Sequence, residues 1–264
     1  MRTGYCSRRN ILHPSTLLDF KYEMGPYYGC EHDCLYCYVQ NDTERTPTGE
    51  ILIHRDFERQ LGEELFSLEP QTIYVGMDTD PYQPVEEKFK HTRQALELFA
   101  ERGFTACILT KSDLVTRDID LLTSMPGSSV GTSVAFQTEH TRTKFEICSP
   151  SIRRRIDALR KVKEAGIETY ALICPVMPLI TNVGMQMDML APFADTIWIY
   201  RLKMQSESDP NWRNTRTIIE RFFPEILNEF KEISFAETHS YWHELKSRLE
   251  GIKKMGALNL VINV

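Results

Sequence analysis

Three cysteines, Cys30, Cys34 and Cys37, crowd the stretch PYYGCEHDCLYCYVQ, residues 26–40. Thiols so close together on one loop suit a metal ion or an iron–sulfur cluster. A structural zinc site takes four ligands, usually from two paired knuckles, and no second knuckle follows. The other cysteines, Cys6, Cys107, Cys148 and Cys174, are scattered. His32 could complete a set of three cysteines and one histidine, but inside the loop it would reach the same ion only under strain. Three thiolates also fall one short of fully ligating a 4Fe–4S cluster, which leaves one iron open to a small molecule. Two readings therefore stand on the cysteines alone: a redox cluster with an open iron, and a zinc-stabilised binding module without redox chemistry.

The loop must be held by something rigid. Short β-branched runs recur at 72–76, 105–110, 130–136, 169–174 and 196–200, and helical patterns at 88–101, 114–124, 150–165 and 184–192 lie between them. In the first helix Ala95, Leu98 and Phe99 form an apolar stripe that Gly103 stops; the third opens with Ser and Pro and ends at Gly166. Alternation of this kind predicts parallel strands with right-handed crossovers. A first strand just before Pro26 makes about six, too few for a closed eight-stranded barrel. The fold expected is α/β, a partial (β/α)6 TIM-type barrel with a C-terminal helical extension. Its parts would be an N-terminal extension at 1–20, the barrel at 21–205, and an extension at 206–264 packed on it. The cysteine loop would then leave the C-terminal end of strand one, where such folds place their chemistry.

Composition narrows the class. The chain of 264 residues carries a formal charge of −6, so bulk electrostatics does not favour gripping a phosphate backbone. An odd number of cysteines does not suit a disulfide framework, and MRTGYCSRRNILHP lacks the apolar core of a secretory signal. The expectation is a cytoplasmic monomer with no membrane span.

The spacing Cys-x3-Cys-x2-Cys, with an aromatic residue before the third cysteine, resembles the signature of the radical S-adenosylmethionine (SAM) superfamily. The segments PYYGCEHDCLYCYV, GMDTDPYQPVEEKFKHTRQALELF, ILTKSDLVTRDIDLL and PVMPLITN further resemble the spore photoproduct lyase family in its broad sense, over about residues 10–185. That resemblance implies a 4Fe–4S cluster on Cys30, Cys34 and Cys37, with SAM on the open iron. The reduced cluster would cleave SAM to a 5′-deoxyadenosyl radical that abstracts hydrogen from substrate. A small electron donor of the flavodoxin or ferredoxin type would supply the electron. It also implies that Tyr36 borders the adenine, that Lys111 contacts SAM, and that the hydroxyls of Thr132 and Ser133 point at it. Asp78, Thr79 and Asp80 would sit on the catalytic rim.

One position departs from the pattern. The founding lyase reverses a thymine–thymine cross-link in DNA and returns a hydrogen atom from a cysteine, and at the matching place this chain has Asp78. A carboxylate O–H bond is too strong to donate a hydrogen atom to a carbon radical. The lyase mechanism therefore does not carry over intact, although thymine-dimer repair remains the family's default activity. The basic run Arg153, Arg154, Arg155, Arg160, Lys161 and Lys163 reads as a solvated helix face. His239 and His243, four apart on a helical pattern, have metal-capable spacing but no third ligand.

Overall fold

The computed structural model describes residues 1–6, 10–42, 49–256 and 258–264; part of the N-terminal extension, 7–9, thus lies outside the described residues. The strands are β1 (Arg2–Tyr5), β2 (Leu12–Pro14), β3 (Tyr22–Met24), β4 (Tyr27–Tyr28), β5 (Glu50–Ile53), β6 (Thr72–Val75), β7 (Thr105–Thr110), β8 (Ser129–Ser133), β9 (Glu168–Val176), β10 (Thr196–Arg201) and β11 (Leu260–Asn263). The helices are α1 (Phe57–Leu65), α2 (Glu86–Phe89), α3 (His91–Arg102), α4 (Ile119–Thr123), α5 (Glu139–Phe145), α6 (Ile152–Glu164), α7 (Val183–Leu190), α8 (Pro210–Phe222), α9 (Leu227–Phe235) and α10 (Ser240–Lys254).

One sheet runs in the order β2-β3-β6-β7-β8-β9-β10-β11, parallel from β3 to β11, with β2 antiparallel at its edge. The six expected parallel strands are all present. The terminal run LNLVINV adds a seventh: as β11 it pairs in register with β10, so the C-terminal extension completes the sheet as well as packing on it. Helix 88–101 is broken at Lys90, whose left-handed backbone (φ 56°) separates α2 from α3. The pattern at 114–124 begins as a 3-10 turn over Asp113–Asp118 before α4. A smaller sheet, β1-β5-β4, flanks the entry to the cysteine loop.

Period-two alternation sorts each strand into an inner and an outer face. Val130 and Val162 share one outer core, and Val134, Ile173, Ile197 and Ile199 share another with α6, α7 and α10. The inner face carries Tyr74, Cys107, Leu109, Tyr170, Leu172, Cys174 and Trp198. Gly131 is required there: a Cβ on it would lie 2.1 Å from the ring of Tyr170. Free to cross, Tyr170 donates its hydroxyl to Ile108 O at 2.8 Å and floors the interior below the strand ends.

Candidate active site

The cysteine loop leaves β4 immediately, as its position after strand one predicts. Its shape needs two left-handed residues, Gly29 (φ 84°) and Asp33 (φ 45°). At Gly29 a Cβ would approach Glu50 O to 2.7 Å, so glycine is the residue that fits. The segment TDPYQPVE grips the loop from the neighbouring strand end. Gln83, fully buried, accepts from Glu31 N at 2.7 Å and donates to Gly29 O at 3.0 Å. Glu31 in turn accepts from Val85 N at 2.6 Å. On the other side Leu35 N donates to Phe145 O at 2.9 Å, and Gln40 donates to Cys34 O at 2.9 Å.

Asp80 fastens the loop to the strand ends. It accepts from Thr110 Oγ1 (2.6 Å), Lys111 N (2.7 Å) and Tyr82 N (2.9 Å), and His32 Nδ1 lies 3.3 Å from its second oxygen. Burial alone would raise its pKa, but His32 and these donors overcome it and hold the carboxyl at about 2. His32, 2% exposed, is thereby engaged with Asp80.

A second buried carboxylate, Glu146, fastens the same loop from the far side. Tyr36 Oη donates to Glu146 Oε1, and Arg155 pairs with Oε2. Ser149 Oγ reaches Oε2 at 3.1 Å, and Arg142 Nη1 caps the Glu146 carbonyl at 2.7 Å. Burial opposes the charge, yet Arg155 and Lys111 keep the pKa at about 2. Arg155 is thus not part of a solvated face. It is 1% exposed and donates to Ser133 O at 2.9 Å, whereas Arg153 and Arg154 are exposed. It sits on the apolar stripe of Ile152, Leu159 and Val162, a register visible in the sequence.

Lys111 is the cation left over. Burial works against its ammonium, but Cys34 and Glu146 outweigh that and raise its pKa above the ordinary lysine range. It also acts on Cys37 and Cys174. The thiols themselves are held protonated: burial, with Asp80 adding to it, pushes Cys30 up to about 12, and burial raises Cys34 and Cys37 as well. Such thiols become thiolates only against a cationic centre. Among the described residues no three His, Cys, Asp or Glu gather closely enough to hold a single ion. A 4Fe–4S cluster would take three thiolate ligands from this loop, whereas a structural zinc needs a fourth ligand to close its tetrahedron.

The remaining rim residues divide. Asp78 meets Tyr38 Oη at 3.5 Å, and its charge acts on Cys37. Thr79, 4% exposed, donates to Tyr27 O at 3.3 Å and so braces the loop's entry. Ser133 donates to Cys174 O at 3.2 Å. Thr132 shares the face of Val130 and Val134 and lies with the helix layer, away from the interior where its neighbour points. His239 caps α10 by accepting from Tyr241 N at 3.2 Å.

The tail supplies what no motif announced. Helix α8 backs the turn after Cys37: Asn211 N donates to Asn41 Oδ1 at 3.2 Å and Asn214 to Gln40 Oε1 at 2.9 Å. Trp212, 1% exposed, packs in one core with Cys34 and Tyr36.

Residues 24–188 match the Radical SAM superfamily. The chain belongs to that superfamily. An uncharacterised protein of Methanocaldococcus jannaschii is 27% identical over 241 residues, covering 85% of this chain and 92% of that one. The radical SAM Nα-GlyT isomerase of Pseudomonas phage M6 is 28% identical over 160 residues, 60% of this chain and 33% of the isomerase. Among solved structures, spore photoproduct lyase complexed with dinucleoside spore photoproduct shares the fold at a TM-score of 0.59 and 17% identity, over 83% of this chain. This chain spans 65% of that lyase chain. A lyase variant with bound AdoMet and the same dinucleoside gives a TM-score of 0.62 at 16% identity. Superfamily membership makes the protein an enzyme whose cofactors are a 4Fe–4S cluster and SAM, as the family resemblance implied. No helix among the described residues is long and apolar enough to cross a membrane.

Proposed function

We propose that this enzyme uses its cluster and SAM to abstract hydrogen from a substrate held in the barrel interior, on a substrate other than an intact thymine-dimer lesion in DNA. The observation that carries the reading is the match of residues 24–188 to the Radical SAM superfamily, on a three-cysteine loop that Asp80 and Glu146 fasten from both sides beside an interior floored by Tyr170. When bound, the cluster and SAM supply a 5′-deoxyadenosyl radical.

The chain's own residues do the rest. Cys30, Cys34 and Cys37 would hold three irons of the cluster. Asp80 and Glu146, through His32 and Tyr36, fix the loop from both sides, so the ligands are preorganised before loading. Lys111, already a buried cation, would bind the SAM carboxylate and offset the charge of the thiolates. Ser133 faces the interior beside it. Tyr38 and Asp78 line the mouth, where a carboxylate repels phosphodiester and accepts a donor group of the substrate. Tyr36, its hydroxyl committed to Glu146, presents ring surface only.

The reductant would be a small flavodoxin- or ferredoxin-type protein in the cytoplasm. Dimer repair is the competing activity, since the lyase neighbours carry the dinucleoside spore photoproduct; Asp78 and the net charge of −6 weigh against it. The test is anaerobic reconstitution, reduction with dithionite, and quantification of 5′-deoxyadenosine with and without the dinucleoside. Cleavage of SAM that the dinucleoside does not stimulate supports the proposal. Dimer-stimulated turnover would replace it with the lyase activity.

A further inference from the structure

Cys174 is an interior thiol that the cysteine loop does not use. It follows Tyr170 and Leu172 along the inner face of β9 and, like Met77, Leu109 and Trp198, packs against the buried cluster of Tyr74, Cys107, Tyr170 and Leu172. Tyr38, next to Cys37, donates to the carbonyl of Met77 at 3.2 Å, so Cys174 and the cysteine loop look into the same end of the interior. Ser133, on the inner face of the neighbouring strand β8, donates to the Cys174 carbonyl at 3.2 Å. Two other thiols are engaged by the protein: Cys6 donates to Ile53 O at 3.6 Å and Cys107 to Tyr170 Oη at 3.5 Å. Cys174 is half-buried, and no described residue hydrogen-bonds its Sγ. The β9–β10 register shifts between Ile199 and Arg201, an irregularity of the kind that re-aims side chains at barrel rims beside active sites. It sets Tyr200 against the segment Cys174–Pro175.

We infer that Cys174 is a catalytic residue, the donor of a hydrogen atom to the carbon-centred radical formed in the barrel interior. The inference rests on the radical SAM reading above. Of the groups at the mouth, the carboxylate of Asp78 has no bond weak enough to give up a hydrogen atom, whereas a thiol S–H bond is weaker than the C–H bond it makes. In the step, the Cys174 S–H bond breaks homolytically, a C–H bond forms on the substrate radical, and the sulfur is left as a thiyl radical. The thiyl returns to thiol by taking one electron from the low-potential protein that reduces the cluster together with one proton from solvent.

The step can be tested without knowing the substrate. In D2O the thiol exchanges to S–D, and an adenosyl radical with no substrate to attack is quenched by the nearest donor. We expect the cluster-loaded protein, reduced with dithionite and given SAM in D2O, to yield singly deuterated 5′-deoxyadenosine. Cys174→Ala should lose most of that label while keeping the parent's iron and sulfide content and visible spectrum; Cys148→Ala, at an exposed thiol, should keep the label. A second readout is independent of turnover: iodoacetamide should alkylate Cys174 in the cluster-loaded protein, and SAM should slow that alkylation. Deuterium that survives in Cys174→Ala, or that disappears in Tyr200→Phe instead, would overturn the assignment while leaving the radical reading intact. So would alkylation unaffected by SAM. A parent protein with full iron content that forms no 5′-deoxyadenosine would bring down the radical reading itself, and this inference with it.

Discussion

Two buried ionic hubs can be set side by side. One lies behind the cysteine loop, where Glu146 gathers Tyr36, Ser149 and Arg155. The other lies at the start of α2 and α3, where Glu86 accepts from Tyr27 at 2.5 Å and Arg117 at 2.6 Å, and Asp118 takes Arg93 at 2.8 Å and Arg117 at 2.7 Å. Both have carboxylates with no exposed side-chain surface. The difference lies in what is left over. The remote hub closes on itself. The near hub has Lys111 as an additional buried cation, whose charge acts on both Glu146 and the Cys34 thiol. Buried charge that is fully answered builds a fold; buried charge left turned toward a ligand loop builds a site.

The largest effect should come from removing a ligand. Cys34→Ala should give protein without a stable cluster and without SAM cleavage, read by iron content and 5′-deoxyadenosine; retention of both would remove the site from the comparison altogether.

The two hubs can then be broken in parallel. Glu146→Gln leaves Arg155 buried without its counter-ion, and Arg117→Met leaves Glu86 without one and Asp118 with Arg93 alone. Each should lower unfolding free energy by about 3–5 kcal/mol in urea titration. Only the first should also shorten the lifetime of the reconstituted cluster. Equal iron loss in both would mean the near hub has no special tie to the loop.

Acid separates the hubs by pH. His91, stacked between Tyr27 and Phe57 beside the remote hub, is held by burial at about 4, below its ordinary 6.5. The unfolded chain takes a proton that folded His91 refuses, so stability is full above pH 6.5 and falls as pH drops toward 4. Glu146 contributes stability above 4.5 that is lost only as pH falls toward 2. Urea midpoints between pH 7 and 4.5 should therefore decline, and His91→Phe should flatten the decline. The smallest effect should be at the brace from the tail: Asn214→Ala removes one side-chain hydrogen bond, about 1 kcal/mol, and should modestly hasten iron loss.

Much of this was legible in the residues. Period and punctuation located the parallel strands and the loop after strand one, because those depend on neighbours in sequence; the helix expected to open with Ser149 and Pro150 instead begins at Ile152 with Ser151 as its cap. Asp80 was visible as a rim residue, but its employment by His32 was not, since a carboxylate reads the same whether it meets SAM or a histidine. Arg155 looked like one of a run of surface charges, although its spacing from Ile152 and Leu159 put it on the buried stripe. Thr132 and Ser133 are adjacent hydroxyls in one strand, and only the strand's phase decides which of them enters the barrel. Glu146, Asn211 and Asn214 gave no sign at all: their partners are Tyr36, Asn41 and Gln40, far away in the chain.

The central claim is that three cysteines hold a cluster whose fourth iron is open to SAM. The most direct measurement is the electron paramagnetic resonance spectrum of the anaerobically reconstituted, dithionite-reduced protein before and after SAM is added, alongside its metal content. The account predicts a full 4Fe–4S complement and a reduced-cluster signal that changes shape when SAM binds. Protein that holds zinc and no iron, or a cluster signal indifferent to SAM, would contradict it.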